Sequence, residues 1–364
     1  MKLMKILGVI LLAALLLILA VILFLYLSPS VGKAPGRAER ESLDRMSAQH
    51  AGGVFRNEQQ VSTLTGGERC AGTRKTPETL LPAEQPSFLP DPGENDLTFT
   101  WFGHSSFLLQ IGGKNVLVDP VLGKRSSPVG FAGPKRFSEL PLTAEELPDV
   151  DVVFLSHDHY DHLDYRTVRA VSGRTGAFVV PLGLDAVLRG WGVPAEKIRA
   201  LDWWESTEIG GLSFTLTPSQ HFSGRNPLRA NSTLWGGLYL TGGDRRVYYT
   251  GDGGYYGVFS EVRERLGAPD LMLAECGQYD PSWAGVHMFP EQTAQAGLDA
   301  GAAWVIPVHW GSFCICNHDW DDPIRRVTAA SEASGLRLAT PRIGQTVDYT
   351  KIDSFTEAWW EQYR

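Results

Sequence analysis

The amino-acid sequence predicts a layered α/β domain preceded by one membrane-crossing helix. Three observations carry this prediction: an unbroken apolar run near the amino terminus, a β-meander that opens the folded region, and a later alternation of short apolar strands with helices. The chain has 364 residues, of which 43% are hydrophobic, so it can bury a large core. Mixed sheets with helices outside them imply a layered architecture.

The first element is an apolar run from Ile6 to Leu27. At about 1.5 Å per residue, a helix of this length crosses a hydrocarbon core of roughly 30 Å. A cleaved signal peptide is the alternative, but its apolar part is normally about 7–15 residues long and is followed by small residues. This run ends on bulky residues, Phe24 to Leu27. We therefore predict a retained transmembrane anchor within residues 1–30.

Positive charges flank this helix on both sides and nearly balance. Lys2 and Lys5 precede it, and Lys33, Arg37 and Arg40 follow it. Because such residues are enriched on the cytoplasmic side, the charge count alone leaves the orientation open. The very short amino-terminal tail favours a cytoplasmic amino terminus. The prediction is a single-pass protein of the bacterial inner membrane with an external or periplasmic domain.

The charge balance excludes one broad class of function. The chain carries 33 Lys and Arg against 41 Asp and Glu, a formal net charge of −8. Broad nucleic-acid binding needs a basic face for the phosphates, so no nucleic-acid partner is expected. The four cysteines lack the paired spacing of a structural zinc site and are expected to be buried or free thiols.

Composition divides the remainder into three parts. Residues 31–95 are rich in Gly, Pro, Ser, Thr and charge, which is typical of a linker or extension. Residues 96–350 form the predicted domain, and residues 351–364 a C-terminal tail. The domain opens with strands at 98–101, 106–111 and 114–118, and further strands are predicted at 151–155, 177–181, 212–217, 234–241, 245–250, 271–274 and 304–308. Helices are predicted at 164–172, 183–190, 257–266, 290–301 and 322–334.

The stretch SHDHYDHLD, residues 156–164, directly follows an apolar strand. It holds three of the nine histidines of the chain, together with three aspartates. His157 and His159 are separated by one residue, so their side chains can point the same way from an extended segment. The chain then turns, and this turn brings Asp161 and His162 towards the same place. A polar loop that caps the next helix is the alternative. The pattern His-x-His-x-Asp-His favours a metal site.

Three further candidate ligands each follow another apolar strand: His221 in TPSQHF, Asp252 in YYTGDGGY and His309 in VIPVHWGSF. Alone, each has an ordinary explanation, because single histidines occur in cores and on surfaces, and an Asp before glycines is a turn former. Together with the nonapeptide, they supply enough donors for two metal ions. Imidazoles and carboxylates suit zinc, with iron or manganese as alternatives. Asp252 is the best candidate to bridge the two ions.

This ligand pattern resembles that of the metallo-β-lactamase superfamily. The resemblance implies a four-layer αββα sandwich with two metal ions at one edge. It also implies how the ligands divide: His157, His159 and His221 for the first metal, Asp161, His162 and His309 for the second, and Asp252 touching both.

A narrower resemblance covers most of residues 97–348. Short blocks in the order WFGHSSFLL, VDPVLGKRSSPVGFAGPKRF, LSHDHYDHLDY, TPSQHF, GDGGYY and HWGSF are similar to the N-acylphosphatidylethanolamine-hydrolysing phospholipase D family and its bacterial relatives. That family uses zinc to split the phosphodiester of an N-acylated phospholipid into phosphatidic acid and an N-acylethanolamine. The chain departs from the animal enzymes at Phe222, where they carry Trp, and in a shorter stretch between Trp283 and His287. It also adds a membrane helix, so the acyl-chain preference is not carried over.

Other polar residues are assigned to the surroundings of the metals. Asp119, before Pro120, is expected to accept a hydrogen bond from a ligating imidazole, with a plain turn as its alternative. The resemblance places His287 near the metals, in transition-state stabilisation or phosphate binding, with a capping or surface role as the alternative. The expected catalytic groups are Asp161, Asp252 and His287. The candidate substrate contacts are His104, Lys135, Arg136 and Arg225, for which a structural or merely solvated role is the alternative.

These residues lead to one main hypothesis and two alternatives. The main hypothesis is a membrane-tethered binuclear zinc hydrolase of the phospholipase D type, in which hydroxide held by the metals attacks an N-acylphosphatidylethanolamine-like lipid. The first alternative is a lactonase or other carbonyl-ester hydrolase, which would use the same metal ligands. The second is a non-catalytic envelope protein, in which the metals would only stabilise the loops. The expected partners are the phospholipid substrate and the membrane, through the N-terminal helix; a homodimer is left open.

Overall fold

The computed structural model describes residues 2–62 and 69–364. Its α-helices are α1 (Lys2–Leu27), α2 (Arg37–Met46), α3 (Tyr165–Val171), α4 (Leu184–Gly190), α5 (Val258–Leu266), α6 (Pro290–Asp299) and α7 (Asp322–Ser334). Its strands are β1 (His50–Ala51), β2 (Val54–Phe55), β3 (Leu97–Trp101), β4 (Phe107–Ile111), β5 (Lys114–Val118), β6 (Val150–Phe154), β7 (Thr175–Pro181), β8 (Ile198–Leu201), β9 (Ser206–Ile209), β10 (Leu212–Thr217), β11 (Gly237–Gly242), β12 (Arg245–Tyr249), β13 (Leu271–Glu275), β14 (Trp304–Val308) and β15 (Thr346–Asp348).

Two mixed sheets of similar design form the centre of the domain. The first has seven strands in the order β15-β3-β4-β5-β6-β7-β8, and the second has six in the order β14-β13-β12-β11-β10-β9. In each sheet an antiparallel meander continues into parallel strands, β5 to β8 in the first and β12 to β14 in the second. Because parallel strands run the same way, their carboxyl ends meet at one edge of each sheet.

The two sheets pack face to face around the main hydrophobic core. Phe107 of β4 and Tyr249 of β12 make an edge-to-face contact across this layer, with ring centroids 5.2 Å apart. Helices α3 and α4 cover the outer face of the first sheet, where Val168 and Leu188 are fully buried. Helices α5, α6 and α7 cover the second sheet. The four-layer αββα sandwich implied by the sequence resemblance is therefore confirmed.

Most predicted elements are present, with ends shifted by one or two residues, but the strand predicted at 234–241 starts three residues later. The backbone before it connects the two sheets instead: the amide of Leu234 donates to the Leu182 carbonyl at 2.8 Å, and that of Gly236 to the Ser156 carbonyl at 3.1 Å. This crossing is as apolar as a strand, so composition could not reveal it. Strands β8, β9 and β15 were not predicted because they are short and partly polar.

The N-terminal helix α1 differs from every other α-helix of the described chain, because none of its 26 residues is buried. It has the length and composition of a membrane anchor or a signal sequence.

The segment predicted as a linker contains an ordered extension. Leu43 of α2 is 6% exposed and Phe55 of β2 is fully buried. The amide of Phe55 donates to the carbonyl of Asn231 at 2.8 Å, which fixes the extension against the domain.

The last fourteen residues, 351–364, also pack against the domain. The buried indoles of Trp359 and Trp360 lie 5.6 and 6.0 Å from the ring of Trp310. The predicted tail thus supports the loop that carries the neighbouring His309.

Candidate metal centre

The seven predicted metal ligands come together at one edge of the sandwich. Each lies just beyond the carboxyl end of a strand: four after β6, and one each after β10, β12 and β14. The nonapeptide loop is closed by two amides, those of His162 and Leu163, which donate to the carbonyl of His159 at 3.1 and 2.9 Å. This tight turn places Asp161 and His162 beside the first two histidines. All seven ligands are buried except His159, which is half-buried.

Three imidazoles form what we call the triple-histidine cluster: His157, His159 and His221. Nδ1 of His159 lies 2.9 Å from Nε2 of His157 and 3.2 Å from Nε2 of His221. Nδ1 of His221 lies 3.0 Å from the carbonyl of Val286. Because a carbonyl can only accept, this nitrogen carries the proton and Nε2 turns a lone pair towards the cluster. Burial lowers the pKa of His157 and His221 well below the usual value, which keeps both in the neutral, ligating form.

A second group, the mixed cluster, consists of Asp161, His162 and His309 with His104 beside them. Nε2 of His104 lies 2.9 Å from a carboxylate oxygen of Asp161, and Nδ1 of His309 lies 3.0 Å from the hydroxyl of Ser105. The Nε2 atoms of His162 and His309 are buried, and neither makes a well-aligned hydrogen bond within the described residues. They are therefore available as ligand atoms.

Asp252 lies between the two clusters. Its Oδ2 atom is 3.0 Å from Nε2 of His162 and 3.2 Å from Nε2 of His309 in the mixed cluster. The same oxygen is 3.8 and 3.9 Å from Nε2 of His157 and His221 in the triple-histidine cluster. One carboxylate thus faces both sets of donors, in the position of a bridging ligand.

The carboxylates of the centre require a compensating positive charge. Burial raises the pKa of Asp252 to about 6. Burial opposes protonation of His162, yet the nearby carboxylates of Asp252 and Asp161 raise its pKa well above the usual value. A proton on His162 therefore supplies the charge that a metal cation supplies when bound.

Asp119 supports the mixed cluster through a hydrogen bond to the imidazole of His162. This is the role expected of a carboxylate next to a metal-ligating histidine. Its carboxylate accepts from Nδ1 of His162 at 2.8 Å, from the hydroxyl of Tyr249 at 2.7 Å, and from the amide and hydroxyl of Ser156 at 2.7 and 2.5 Å. Because Nδ1 of His162 donates to it, the ring turns Nε2 towards Asp252. Sequence reasoning did not identify Ser156 or Tyr249. Ser156 becomes a neighbour of Asp119 through the pairing of β5 with β6, and Tyr249 only when the two sheets pack.

Three of the six non-glycine residues with positive φ in the described part of the chain lie at this edge. His104, Asp119 and His309 have φ values of +55°, +40° and +68°, in the left-handed region that non-glycine residues rarely adopt. The amide of His309 donates to the carbonyl of His104 at 3.0 Å, and the amide of His104 to the carbonyl of Trp310 at 2.9 Å. These paired bonds between the sheets hold the strained residues in place, as is common at functional sites.

Glu275 is a site residue that sequence reasoning missed. It ends β13, is fully buried, and accepts from Nδ1 of His287 at 2.8 Å and from the amide of Met288 at 2.6 Å. The ring of His287 lies 5.0 Å from that of His221 and 5.4 Å from that of His309, so it spans both clusters. Burial raises the pKa of Glu275 well above its usual value and lowers that of His287. The available signal was the position of Glu275 directly after the apolar run LMLA, since the candidate ligands also follow apolar strands.

Asn57, in the N-terminal extension, is a second missed residue. Its side-chain amide donates to the carbonyl of His221 at 2.9 Å, and its side-chain oxygen accepts from the amide of His221 at 3.1 Å. The same oxygen accepts from the indole of Trp235 at 3.2 Å. Asn57 therefore fixes the backbone of a ligand-bearing residue, and no feature of the sequence near it indicated this role.

The four candidate substrate contacts are placed differently from one another. His104 is fully buried against Asp161, so it supports that carboxylate and is closed to substrate. Arg136 and Arg225 are 5% and 4% exposed, and their guanidinium groups donate to backbone carbonyls. These contacts favour structural roles over the expected contact with a lipid phosphate. Lys135 is exposed on the loop before β6.

The donor set fits the two metal ions that the fold family implies. Imidazole nitrogens face one another at 2.9 and 3.2 Å in the triple-histidine cluster. Within the described residues, Oδ1 of Asp252 and Nε2 of His309 are buried without a well-aligned hydrogen bond. Such atoms are rare in folded proteins because leaving them unpaired is costly. Cations held by these nitrogens and oxygens remove that cost, and the ligand types suit zinc.

Comparisons with known proteins agree with this geometry. The family model "Beta-lactamase superfamily domain" matches residues 114–310. An uncharacterized protein of Mycobacterium tuberculosis is 44% identical over 258 residues, which are 70% of this chain and 69% of that protein. N-acyl-phosphatidylethanolamine-hydrolyzing phospholipase D 1 of Caenorhabditis elegans is 33% identical over 261 residues, which are 68% of this chain and 73% of the enzyme.

Among solved structures, a possible metal-dependent hydrolase from Veillonella parvula is similar in fold, with a TM-score of 0.58 at 20% sequence identity. The structural match covers 69% of this chain and 99% of the hydrolase chain. The chain therefore belongs to the beta-lactamase superfamily, as a metallo-hydrolase related to the N-acyl-phosphatidylethanolamine-hydrolysing phospholipases D.

Proposed function

We propose that the protein is a membrane-tethered, two-zinc phosphodiesterase that cleaves N-acylphosphatidylethanolamine-like phospholipids in the manner of a phospholipase D. The observation that carries the proposal is the sharing of Asp252 by the two ligand clusters. The relative from Caenorhabditis elegans, named as a hydrolase of such lipids, supports the choice of substrate.

The reaction transfers the oxygen of water to phosphorus. The bond between phosphorus and the oxygen of the N-acylethanolamine breaks, and the leaving oxygen takes a proton. When bound, two divalent metal ions supply a strong nucleophile at neutral pH and neutralise the charge that develops on the phosphoryl group. The protein supplies the geometry, because Asp119 and Ser105 orient the imidazoles of His162 and His309 towards the shared carboxylate.

His287 is the residue of this site placed to handle the proton. Its Nδ1 atom is committed to Glu275, which leaves Nε2 as the ring atom that can contact a substrate or a water molecule. The side chain is 13% exposed, whereas Glu275 is fully enclosed. His287 thus reaches from the buried cluster towards the surface, and Glu275 acts as its positioning residue.

The N-terminal helix supports a substrate that lies in a membrane. A retained anchor would hold the enzyme at the bilayer and raise its effective concentration there. The proposal places the helix in the bacterial inner membrane, with the catalytic domain outside the cytoplasm.

The full-length, zinc-loaded protein should release an N-acylethanolamine and phosphatidic acid in equal amounts from vesicles that contain N-acylphosphatidylethanolamine, as measured by mass spectrometry. The Asp252→Asn variant should release neither. A membrane lipid extract, treated in the same way, would show which lipids are consumed.

A panel of lactones, tested in parallel, separates the alternatives. Hydrolysis of lactones with the phospholipid left intact would reject the proposal in favour of a carbonyl-ester hydrolase. A protein that holds zinc through His159 but turns over neither substrate would favour a structural metal site.

A further inference from the structure

We propose that the domain rests on the bilayer through one defined face, the docking face, made of loops 124–135 and 225–230 beside the end of α1. Its partner is the lipid headgroup layer of the membrane that α1 crosses. The inference rests on the proposed function in one respect, since it requires α1 to be retained as an anchor.

The end of α1 is clamped to the domain. The guanidinium of Arg225 donates to the carbonyl of Ser30 at 2.6 and 3.0 Å, just beyond the helix. The same group donates to the carbonyls of Asp158 and Leu163, at 3.1 and 2.6 Å, in the loop that carries the metal ligands. It also lies 4.2 Å from the ring centroid of Tyr160. One buried cation therefore joins the exit of the membrane helix to the metal-binding loop.

Two further contacts bring the loops of the docking face to the helix end. The side-chain amide of Asn226 donates to the carbonyl of Leu25, within α1, at 3.1 Å. The hydroxyl of Ser30 donates to the carbonyl of Pro128 at 2.8 Å. The helix thus leaves the membrane against both loops, without a flexible spacer between them.

The length of α1 sets the height of this junction. A hydrocarbon core of roughly 30 Å takes up about 20 residues of helix, and α1 has 26. The last turn of α1 and the residues up to Ser30 therefore lie at or near the headgroup layer. Groups that touch Leu25 and Ser30 lie at the same level.

Exposed apolar side chains stand at this level. Phe131 is 84% exposed and follows Pro128 by three residues, and Leu228 is 54% exposed and follows Asn226 by two. Outside α1, Phe131 is the most exposed large apolar side chain of the described residues. Aromatic residues favour the interfacial layer of a bilayer. The junction with α1 therefore identifies lipid as the partner of these side chains.

Charge on the same loop agrees with a lipid surface. Lys124 and Lys135 are exposed at the two ends of the loop. Arg125 shapes the loop between them, since its guanidinium donates to the carbonyls of Gly130 and Gly133 at 3.1 and 2.6 Å. Exposed lysines near a membrane attract anionic headgroups. A shaped loop with an apolar tip and basic ends suits the surface of an anionic bilayer.

Hydrogen exchange of the full, zinc-loaded chain in nanodiscs of anionic lipid tests this inference. The amides of residues 130–133 make no hydrogen bond to the described part of the chain, so they should exchange rapidly unless lipid covers them. We expect slow exchange in the wild type. A Phe131→Asp/Leu228→Asp variant should lose at least about tenfold of this protection, because burial of such side chains in an apolar layer is worth that much or more.

Leu298→Asp is the matched control, because Leu298 is 38% exposed on α6, on the outside of the second sheet. It should leave exchange at residues 130–133 unchanged, and zinc content checks that each variant folds. Rapid exchange at these residues in the wild type, or protection equal in the wild type and the double variant, would overturn the docking face.

Lipid cleavage is measured in the same nanodiscs, so the two proposals fail separately. Protected loops without cleavage would support docking and reject the proposed function. Cleavage by a protein whose loops stay unprotected would support the proposed function and reject the docking face.

Discussion

The triple-histidine cluster and the mixed cluster share Asp252, but they differ in charge and in support. The triple-histidine cluster has three neutral imidazoles, one of them half-buried, and its supports are backbone groups and Asn57. The mixed cluster contains the carboxylate of Asp161, and its His162 is hydrogen-bonded to the buried Asp119. Because the number of charged ligands tunes metal affinity, the mixed cluster should hold its ion more tightly. One shared carboxylate can therefore join two sites of unequal strength.

The largest expected effect comes from removal of the shared charge. Asp252→Asn replaces the shared carboxylate with a neutral amide, a weaker metal ligand, so both ions should bind more weakly. Activity should fall by more than about 100-fold, the upper end of the range for residues that only support a ligand. Metal content and the rate of lipid cleavage measure this, with the exposed Asp244→Asn as control. Normal metal content in Asp252→Asn would contradict the bridging position.

Single-ligand variants test the separation of the two clusters. His159→Ala should lose the ion of the triple-histidine cluster, and Asp161→Asn that of the mixed cluster. Each protein should then retain about one metal equivalent of the two expected. Stepwise chelation of the wild type, followed by elemental analysis, should remove the ion of the less charged triple-histidine cluster first. Loss of both ions in either variant would show that the clusters do not bind independently.

Removal of the support behind the mixed cluster should have an intermediate effect. An asparagine at position 119 replaces an acceptor of four hydrogen bonds with a group that also donates, so His162 loses its fixed orientation. Asp119→Asn should reduce metal affinity or activity by about 10- to 100-fold. The loss should fall on the ion of the mixed cluster. An equal loss at both ions would contradict a role through His162 alone.

The smallest effect is expected at Asn57, which acts through the backbone of His221. Asn57→Ala removes two hydrogen bonds to that residue. At about 0.5–1.5 kcal/mol each, and with part of the loss recovered by water, zinc should bind the triple-histidine cluster about 3- to 10-fold more weakly. The spectrum of the cobalt-substituted protein should change with it. Gln60→Ala, exposed in the same extension, is the control; an unchanged zinc affinity for Asn57→Ala would limit Asn57 to stability.

The contrast between the clusters also shows what could be predicted from sequence. His157, His159, Asp161 and His162 are close together in the chain, and the candidate ligands of the second sheet each follow an apolar strand, so residue type and local position were enough to select the residues that the fold brings together. Glu275 has the same local signal, but its role depends on the contact with His287, which lies in a separate loop. Asn57, Ser156 and Tyr249 have ordinary local contexts, and their roles arise from contacts between distant segments.

The guanidinium groups illustrate the limit most clearly. Arg136 and Arg225 lie in polar, glycine-rich stretches where exposed cations are the rule, and the sequence therefore favoured contact with solvent or phosphate. The fold buries both and satisfies them with backbone carbonyls. Burial depends on which loops pack over a residue, and that information is not local.

By itself, the sequence determined the order of the main strands and helices, the apolar N-terminal segment and the set of candidate metal ligands, because hydrophobic periodicity and donor type act over a few residues. Only the tertiary structure decided that Asn57 holds the backbone of His221, that His287 pairs with Glu275, and that Arg225 ties the helix exit to the loop of the candidate ligands. Each of these depends on the packing of two sheets and an N-terminal extension. Distances across such a packing are set by the whole core, which no short stretch of residues encodes.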